Sequence, residues 1–451
     1  MSIDMTVIQA KLFQSAKAAG FTEYEIYYAA GVTDTYRVFG GEIAEYKSAG
    51  SDGLSFRGVY QGKMGYASSE RIDEAAIPFL IENAKQNALI IESEDAETLY
   101  EGEESYPVIK GYNQALAAVP SYELAKTAIA FETEAFAADV RVTGLSYCLL
   151  GRGAGEVFIA NSKGLRASHK DNYVYGYLQP KLEDGEDVKT GFAYRGGSKW
   201  DVIDASVMAQ EAVAEAVSKL GAAPVASGSY DVLLGRDAMM DLFEAFAGVF
   251  NAESVQKGFS LLAGKMGTAI ASETVSIRDD ALLPDAPGSV PFDSEGVAAK
   301  NKALVENGVL KSFLHNRKTA AKDGVASTGN GFKASFRASV GIQPTNLYIV
   351  PTEATRDDML MKLGNGLFIT EFEGLHAGTN EVSGDFSLSS RGFVVENGKI
   401  TAPVEQITVA GSFFTLLKEI EAVGGDFRWG LPGSGIGTPS VLVRGLSVSG
   451  K

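Results

Sequence analysis

Between Thr6 and Gly20 the apolar residues Ile8, Leu12, Ala16 and Ala19 fall on one helical face and a glycine closes the run, which predicts an amphipathic helix. The pattern then changes to short β runs. Tyr24 to Ala29, Thr35 to Phe39, Glu42 to Ser48, Leu54 to Tyr60 and Lys63 to Ser68 are rich in Val, Ile, Phe and Tyr, and Gly-Gly, Ser-Asp-Gly and Gln-Gly turn signals separate them. Antiparallel hairpins are expected. Helical spacing returns over Ile72 to Ala88, where Pro78 belongs either to the first turn or to a kink. After Pro120 and Ser121 a further helix sets Leu124, Ala128, Phe131 and Ala135 on one face; strands are expected between Arg141 and Trp200, and a helix from Ala205 to Leu220 is closed by Gly221.

Residues 6 to 88 and 122 to 220 thus share a helix, sheet, helix order, and Gly41-Glu-Ile…Gly53-Leu echoes Gly155-Glu-Val…Gly164-Leu. Either a duplication or the commonness of such α/β units explains the echo. Between the two lies an acidic linker, about 92–120; its stretch from Glu92 to Glu104 has seven acids and no base, the composition of a solvated segment. Beyond residue 225 glycine-punctuated β runs dominate: Ala303 to Val309, Ser335 to Val340, Thr345 to Ile349, Gly366 to Phe372, Gly392 to Asn397 and Val441 to Val448. Asn307-Gly308 and Asn397-Gly398 sit between such runs as hairpin signals. The helix from Phe413 to Val423 is the exception. The expected class is α+β, with an N-terminal α/β domain (1–222) of helices packed on antiparallel sheets and a C-terminal β-rich domain (223–451).

Composition narrows the partners. The chain has 451 residues, 45% of them hydrophobic, enough for large cores. Its 40 basic and 57 acidic residues give a net charge of −17, which disfavours direct binding to nucleic acid or an anionic membrane. The N-terminus shows neither a basic n-region nor an apolar h-region, and no run approaches a membrane span. The single cysteine, Cys148, lies in an apolar run and reads as a buried residue of a cytoplasmic protein.

Asp231 to Gly267 is the first stretch whose pattern bears on chemistry. A short apolar strand there feeds a helix for which Asp237 is the expected N-cap, with Met240, Phe243, Phe246 and Phe250 near helical spacing. Two histidines four residues apart on such a helix, with an acid beside the first, would make a zinc peptidase element; the equivalent face here carries Glu244 and Gly248. The three histidines, His169, His315 and His376, are far apart, and no nucleophile elbow, phosphate loop or dinucleotide fingerprint occurs. Polar constellations remain in the β-rich half. Asp293 and Glu295 occupy a turn, where capping of N–H groups is the favoured role. Asn330 lies in Ser327-Thr-Gly-Asn-Gly331, Glu371 and Glu373 share a strand face, and His376 and Asp385 come soon after, which makes Asn330, Glu371, His376 and Asp385 candidate cleft residues alongside the plainer reading of structural turn groups.

Taken in order, Phe292-Asp-Ser-Glu-Gly-Val297, Val305-Glu-Asn-Gly-Val-Leu310, Ser327-Thr-Gly-Asn330, Ser383-Gly-Asp-Phe386, Gly392-Phe-Val-Val-Glu-Asn-Gly398 and Ile407-Thr-Val-Ala-Gly411 resemble the TldD/PmbA family, the so-called modulators of DNA gyrase. The resemblance covers nearly the whole chain. It implies an α/β N-terminal region, a β-rich C-terminal domain and cytosolic dimers enclosing a cleft. The TldD branch is a metallopeptidase with a His-Glu-x-x-x-His helix and a distal Cys. Alignment with that helix puts the first His at Glu244, the acid at Ala245 and the second His at Val249; the distal Cys would fall near Trp429 to Gly435, where this chain has none. The departure matches the PmbA branch, also called TldE. The resemblance therefore implies a non-metal-binding subunit that has no cofactor of its own, works with a zinc-bearing TldD-like partner on small or unfolded proteins and leader peptides, and forms a homodimer when alone. Two alternatives stay open: an independently active metallopeptidase using His376 with Glu371, Glu373 or Asp385, and a regulatory binding protein, a gyrase modulator, without proteolysis.

Overall fold

The computed structural model describes residues 5–92, 98–431 and 433–451; the linker acids at 93–97 and Pro432 of the expected cysteine region lie outside the described residues. Helix α1 (Met5–Ala18) leads into strands β1 (Glu23–Phe39), β2 (Glu42–Tyr60) and β3 (Lys63–Ser69), and α2 (Ile77–Ile90) follows with Pro78 in its first turn. The short α3 (Gln114–Ala117) and the long α4 (Ser121–Ala138) precede β4 (Val142–Asn161), β5 (Arg166–Asp184), β6 (Asp187–Thr190), β7 (Ala193–Gly197) and α5 (Ala205–Ser218). The strands form one antiparallel sheet in the order β3-β2-β1-β4-β5-β6, with β7 also on β5. Four of the five short runs expected from sequence are therefore segments of two long strands, and the fifth is β3. Gly40-Gly41 and Gln61-Gly62 do turn the chain, each pair having positive φ, but Ser51-Asp52-Gly53 continues β2, with Gly53 opposite Ala29. A Cβ on Gly53 would lie 2.4 Å from the Phe336 ring, so this glycine admits the other half of the molecule rather than a turn.

The sheet has an internal two-fold relation. Gly31 of β1 stands opposite Gly155 of β4, and a half-turn about that pair carries β1, β2 and β3 onto β4, β5 and β7. Even-numbered residues of the central strands point to the helix-covered face: Ile26, Tyr28, Leu54, Phe56 and Phe158 beneath α1 and α2, and Tyr36, Val38, Cys148, Leu150 and Val174 beneath α4 and α5. The expected α4 stripe Leu124, Ala128, Phe131, Ala135 is wholly buried there. Both halves also use a glycine where a helix presses on the sheet. A Cβ on Gly65 would lie 1.8 Å from the Ala84 carbonyl oxygen of α2, and one on Gly191 would lie 1.9 Å from that of Ala212 on α5. Gly41 and Gly155, paired in the sequence echo, are not equivalent positions: the first is in a hairpin turn and the second is mid-strand. Gly191→Ala is expected to push α5 off the sheet and cost about 1–3 kcal/mol, read as a lower urea midpoint; an unchanged midpoint would show that α5 yields freely.

The second half starts at β8 (Gly228–Leu234) and α6 (Arg236–Phe246), continues through α7 (Ala252–Gln256), β9 (Ile277–Asp280), β10 (Asn301–Glu306), β11 (Val309–Leu310) and α8 (Arg317–Asp323), and reaches β12 (Gly331–Lys333), β13 (Val340–Ile342) and β14 (Leu347–Ile349). Then come α9 (Arg356–Leu363), β15 (Gly366–Glu373), α10 (Leu375–Gly378), β16 (Asp385–Glu396), β17 (Lys399–Ser412) and α11 (Phe413–Glu419). The last elements are β18 (Ile420–Val423), β19 (Arg428–Trp429), β20 (Ile436–Thr438) and β21 (Val441–Ser449). One sheet runs β17-β16-β15-β8-β21-β18 and closes on itself where β17 also pairs with β21; a second runs β11-β10-β9-β14-β20-β19. β8 is buried on both faces, Val232 and Leu234 in the main core and Leu233 against Met359 and Leu363 of α9, which is why its sequence is a continuous apolar run. Phe246 of α6 stacks on Phe413 at 4.7 Å in the main core. Asn307-Gly308 and Asn397-Gly398 form tight hairpins with positive φ at both residues. The expected helix from Phe413 to Val423 stops at Glu419, and the remainder is β18, edge partner of β21.

The other face of the N-terminal sheet meets this second half. Tyr27, Ile159, Leu165 and Ala167 pack on Phe292, and Lys333 donates to the Ser55 hydroxyl (2.9 Å). Asp293 caps its own turn, accepting the N–H groups of Glu295, Val297 and Gly331 at 2.8 to 3.0 Å.

Candidate functional cleft

Helix α6 begins one residue before Asp237. Gly235 is its N-cap, with its N–H given to Ile369 O at 2.7 Å along the parallel β8–β15 pairing, so Asp237 sits in the first turn instead of capping it. Its side chain is thereby free to project, with Asp241 and Glu244, along one stripe of an otherwise apolar helix. That stripe borders a cleft of about 1320 Å³ between the two halves of the molecule. Across from it stand Phe192 and Tyr194 from β7 and its approach, Glu215 and Lys219 at the end of α5, and Glu371 of β15.

The charges in the cleft are unevenly neutralised. Lys219 pairs with Glu215 (2.7 Å) and Glu371 (3.0 Å); burial works against its charge, and the two carboxylates outweigh that and raise its pKa. Glu371 also pairs with Arg391 at 3.0 Å, and Arg391 reaches Glu373 at 2.6 Å. Arg428 lies 3.1 Å from Asp237 and 3.9 Å from the centre of the Tyr194 ring, whose hydroxyl donates to Trp429 O (2.9 Å). Asp241 is different. Burial, then the charges of Asp237, Glu244 and Glu371, push its carboxyl up to about 7, so it holds a proton near neutrality. Desolvation raises Glu244 as well.

Of the four candidate cleft residues named from sequence, Asn330, Glu371, His376 and Asp385, Glu371 lines this cleft and the other three lie elsewhere. Asn330 is fully buried: its amide donates to Asp279 (2.8 Å) and Gln343 O (2.9 Å), and its oxygen accepts from Lys302 (3.0 Å) and Thr328 (2.7 Å). His376 is exposed on α10, and Asp385 is exposed at the start of β16, where it accepts the Ser383 hydroxyl at 2.8 Å. The acids at Asp237 and Asp241, four residues apart on α6, are the readable sign of the cleft, as charged residues on a helix whose other positions are core.

The positions aligned with a metal helix do not share a space. Glu244 faces the cleft, whereas Val249 is buried in the main core, because α6 ends at Phe246 and Ala247 to Phe250 form a tighter 3₁₀ turn. Gly248 is covered by the Glu381 carboxylate, which a Cβ there would strike. Among the described residues no histidine or cysteine lines the cleft, and no three His, Cys, Asp or Glu side chains are grouped to hold a metal ion. This arrangement does not fit a zinc centre, which needs at least three His, Cys or carboxylate ligands converging on one point. No helix among the described residues is long and apolar enough to cross a membrane.

Comparisons with known proteins agree along the chain. Residues 24–88 match the model for PmbA/TldA metallopeptidase domain 1, 115–220 the central domain, and 227–450 the C-terminal domain. A protein from Thermotoga maritima, described as a candidate modulator of a DNA gyrase, is 32% identical and superposes with a TM-score of 0.92, covering 99% of this chain and 100% of that one. TldE from Thermococcus kodakarensis, at 22% identity, shares the fold with a TM-score of 0.90 over 98% of this chain and 100% of its own. A metalloprotease PmbA homologue of Haemophilus influenzae is 27% identical over 443 residues, 97% of this chain and 94% of that protein.

Proposed function

Because this chain belongs to the PmbA/TldD metallopeptidase family, we propose that it is the subunit of a two-component protease that does not bind the metal. The observation that carries this reading is the split at α6: of the two aligned ligand positions one faces the cleft as Glu244 and the other is core as Val249. A TldD-like partner would supply zinc and the activated water; this chain would supply cleft wall. Small or unfolded proteins and leader peptides are the proposed substrates. The cleft supports that reading by its size, which exceeds what one side chain fills, and by its mixture of aromatic rings with both signs of charge. We place the complex in the cytoplasm and expect the chain to self-associate when its partner is absent.

The test measures metal content and cleavage of an unstructured protein, for this chain alone and after mixing with a TldD-like protein from the same genome. Cleavage only in the mixture, with metal only in the partner, is the expected result. Stoichiometric metal and chelator-sensitive cleavage from this chain alone would overturn the proposal.

A further inference from the structure

The two-fold relation within the N-terminal sheet is broken at one place. Beyond Gly53, β2 pairs with β3 over Leu54 to Tyr60, but over Glu42 to Gly53 its only strand partner among the described residues is β1. The corresponding stretch of β5 is covered by the chain itself. There Asn172 gives its N–H to Gly111 O (3.1 Å), its side chain exchanges hydrogen bonds with the Asn113 main chain (2.7 and 2.9 Å), and Gly111 lies against His169. One half of the sheet thus shows an extended segment seated on this edge, and the other half leaves the same edge bare. Glu42 and Ala44 to Asp52 are exposed, Tyr46 to 55%.

We infer that this edge of β2 takes the β2 of a second copy of the chain, antiparallel and centred on Tyr46, so that one sheet runs through both copies; the inference rests on the self-association proposed above. Charged residues on a bare edge ordinarily repel another strand. Here their order makes the edge complementary to itself. Directly opposed residues in an antiparallel pair share a face, so registration about Tyr46 sets Glu45 against Lys47 on both sides of the axis, Ala44 against Ser48 and Ile43 against Ala49. An isologous contact of this kind closes as a dimer and does not propagate.

Light scattering on the full chain at micromolar concentration tests this. The wild type is expected to be a dimer. Lys47→Glu, which sets like charges opposite each other twice, is expected to weaken it at least tenfold, and Glu45→Lys combined with Lys47→Glu to restore it. Tyr46→Cys should form a disulfide-linked dimer on oxidation, because directly opposed Cα atoms lie about 4.5–5.5 Å apart, within disulfide reach. The native Cys148 is buried and does not compete, and Glu353→Cys on a distant exposed loop serves as the control. A monomeric wild type would overturn the self-association and this surface together. A dimer that Lys47→Glu leaves intact and Tyr46→Cys does not cross-link would overturn the surface alone.

Discussion

Lys302→Met is expected to cost about 3–5 kcal/mol of stability, because it strands a buried carboxylate. Asp279 is completely buried and its charge is met by Lys302 at 2.9 Å, with Thr345 N–H (2.7 Å), the Thr345 hydroxyl (2.8 Å) and Asn330 (2.8 Å) completing its shell. The hydrogen bonds alone cannot offset an unpaired charge out of water. The network joins β9, β10 and the turn ahead of β12, so its failure loosens the second sheet of the C-terminal half. Asp279→Asn made together with Lys302→Met should recover most of the loss, since both charges then go. Denaturant unfolding reads the difference, and a Lys302→Met protein within about 0.5 kcal/mol of wild type, a surface-sized effect, would refute the account. The same geometry gives Asn330 a structural effect: Asn330→Ala should lower stability whether or not substrate is present.

Asp241→Asn is expected to do the opposite, and only above acidic pH. The folded pKa of about 7 lies above the unfolded value of 3.8, so the native state binds this proton more tightly than the unfolded chain does. The contribution is therefore fully present below about pH 4 and is lost as pH rises through about 7. An asparagine remains neutral throughout. The variant should match wild type at pH 4 and exceed it at pH 8 by up to about 4 kcal/mol at 1.36 kcal/mol per pK unit, less to the extent that water in the cleft screens the charge. Thermal unfolding across that range checks it, and equal stability at pH 8 would show that Asp241 ionises without penalty.

How much is legible in the sequence depends on the range of the forces involved. The stripe Leu124, Ala128, Phe131, Ala135 and the two Asn-Gly hairpins are set by neighbours a few residues away, and they fold as their pattern predicts. Gly53 reads as a turn because glycine marks turns, yet what requires it is a ring 283 positions later in the chain, at Phe336. The cleft is of the second kind. Glu371 is recognisable as one of two acids alternating on a strand, but its partners Lys219 and Arg391 come from α5 and β16. Asn330 carries the same polar-turn signature, and tertiary contacts draw it into the core. Spacing on one helix offers Asp237 and Asp241, whose meaning becomes visible only when the N-terminal half closes over them.

The position of β8 also sets an order of events during synthesis. It is the first strand of its unit, yet it lies between β15 and β21, and β21 is needed again to meet β17. Most of the N-terminal sheet can pair while the ribosome is still making the chain beyond α5. The C-terminal barrel has no such option: β8, with Val232, Leu233 and Leu234, must wait with one edge open until residues 441–449 have emerged. Through that interval an apolar strand is exposed to any other unfinished chain, the circumstance in which nascent proteins aggregate or depend on chaperones.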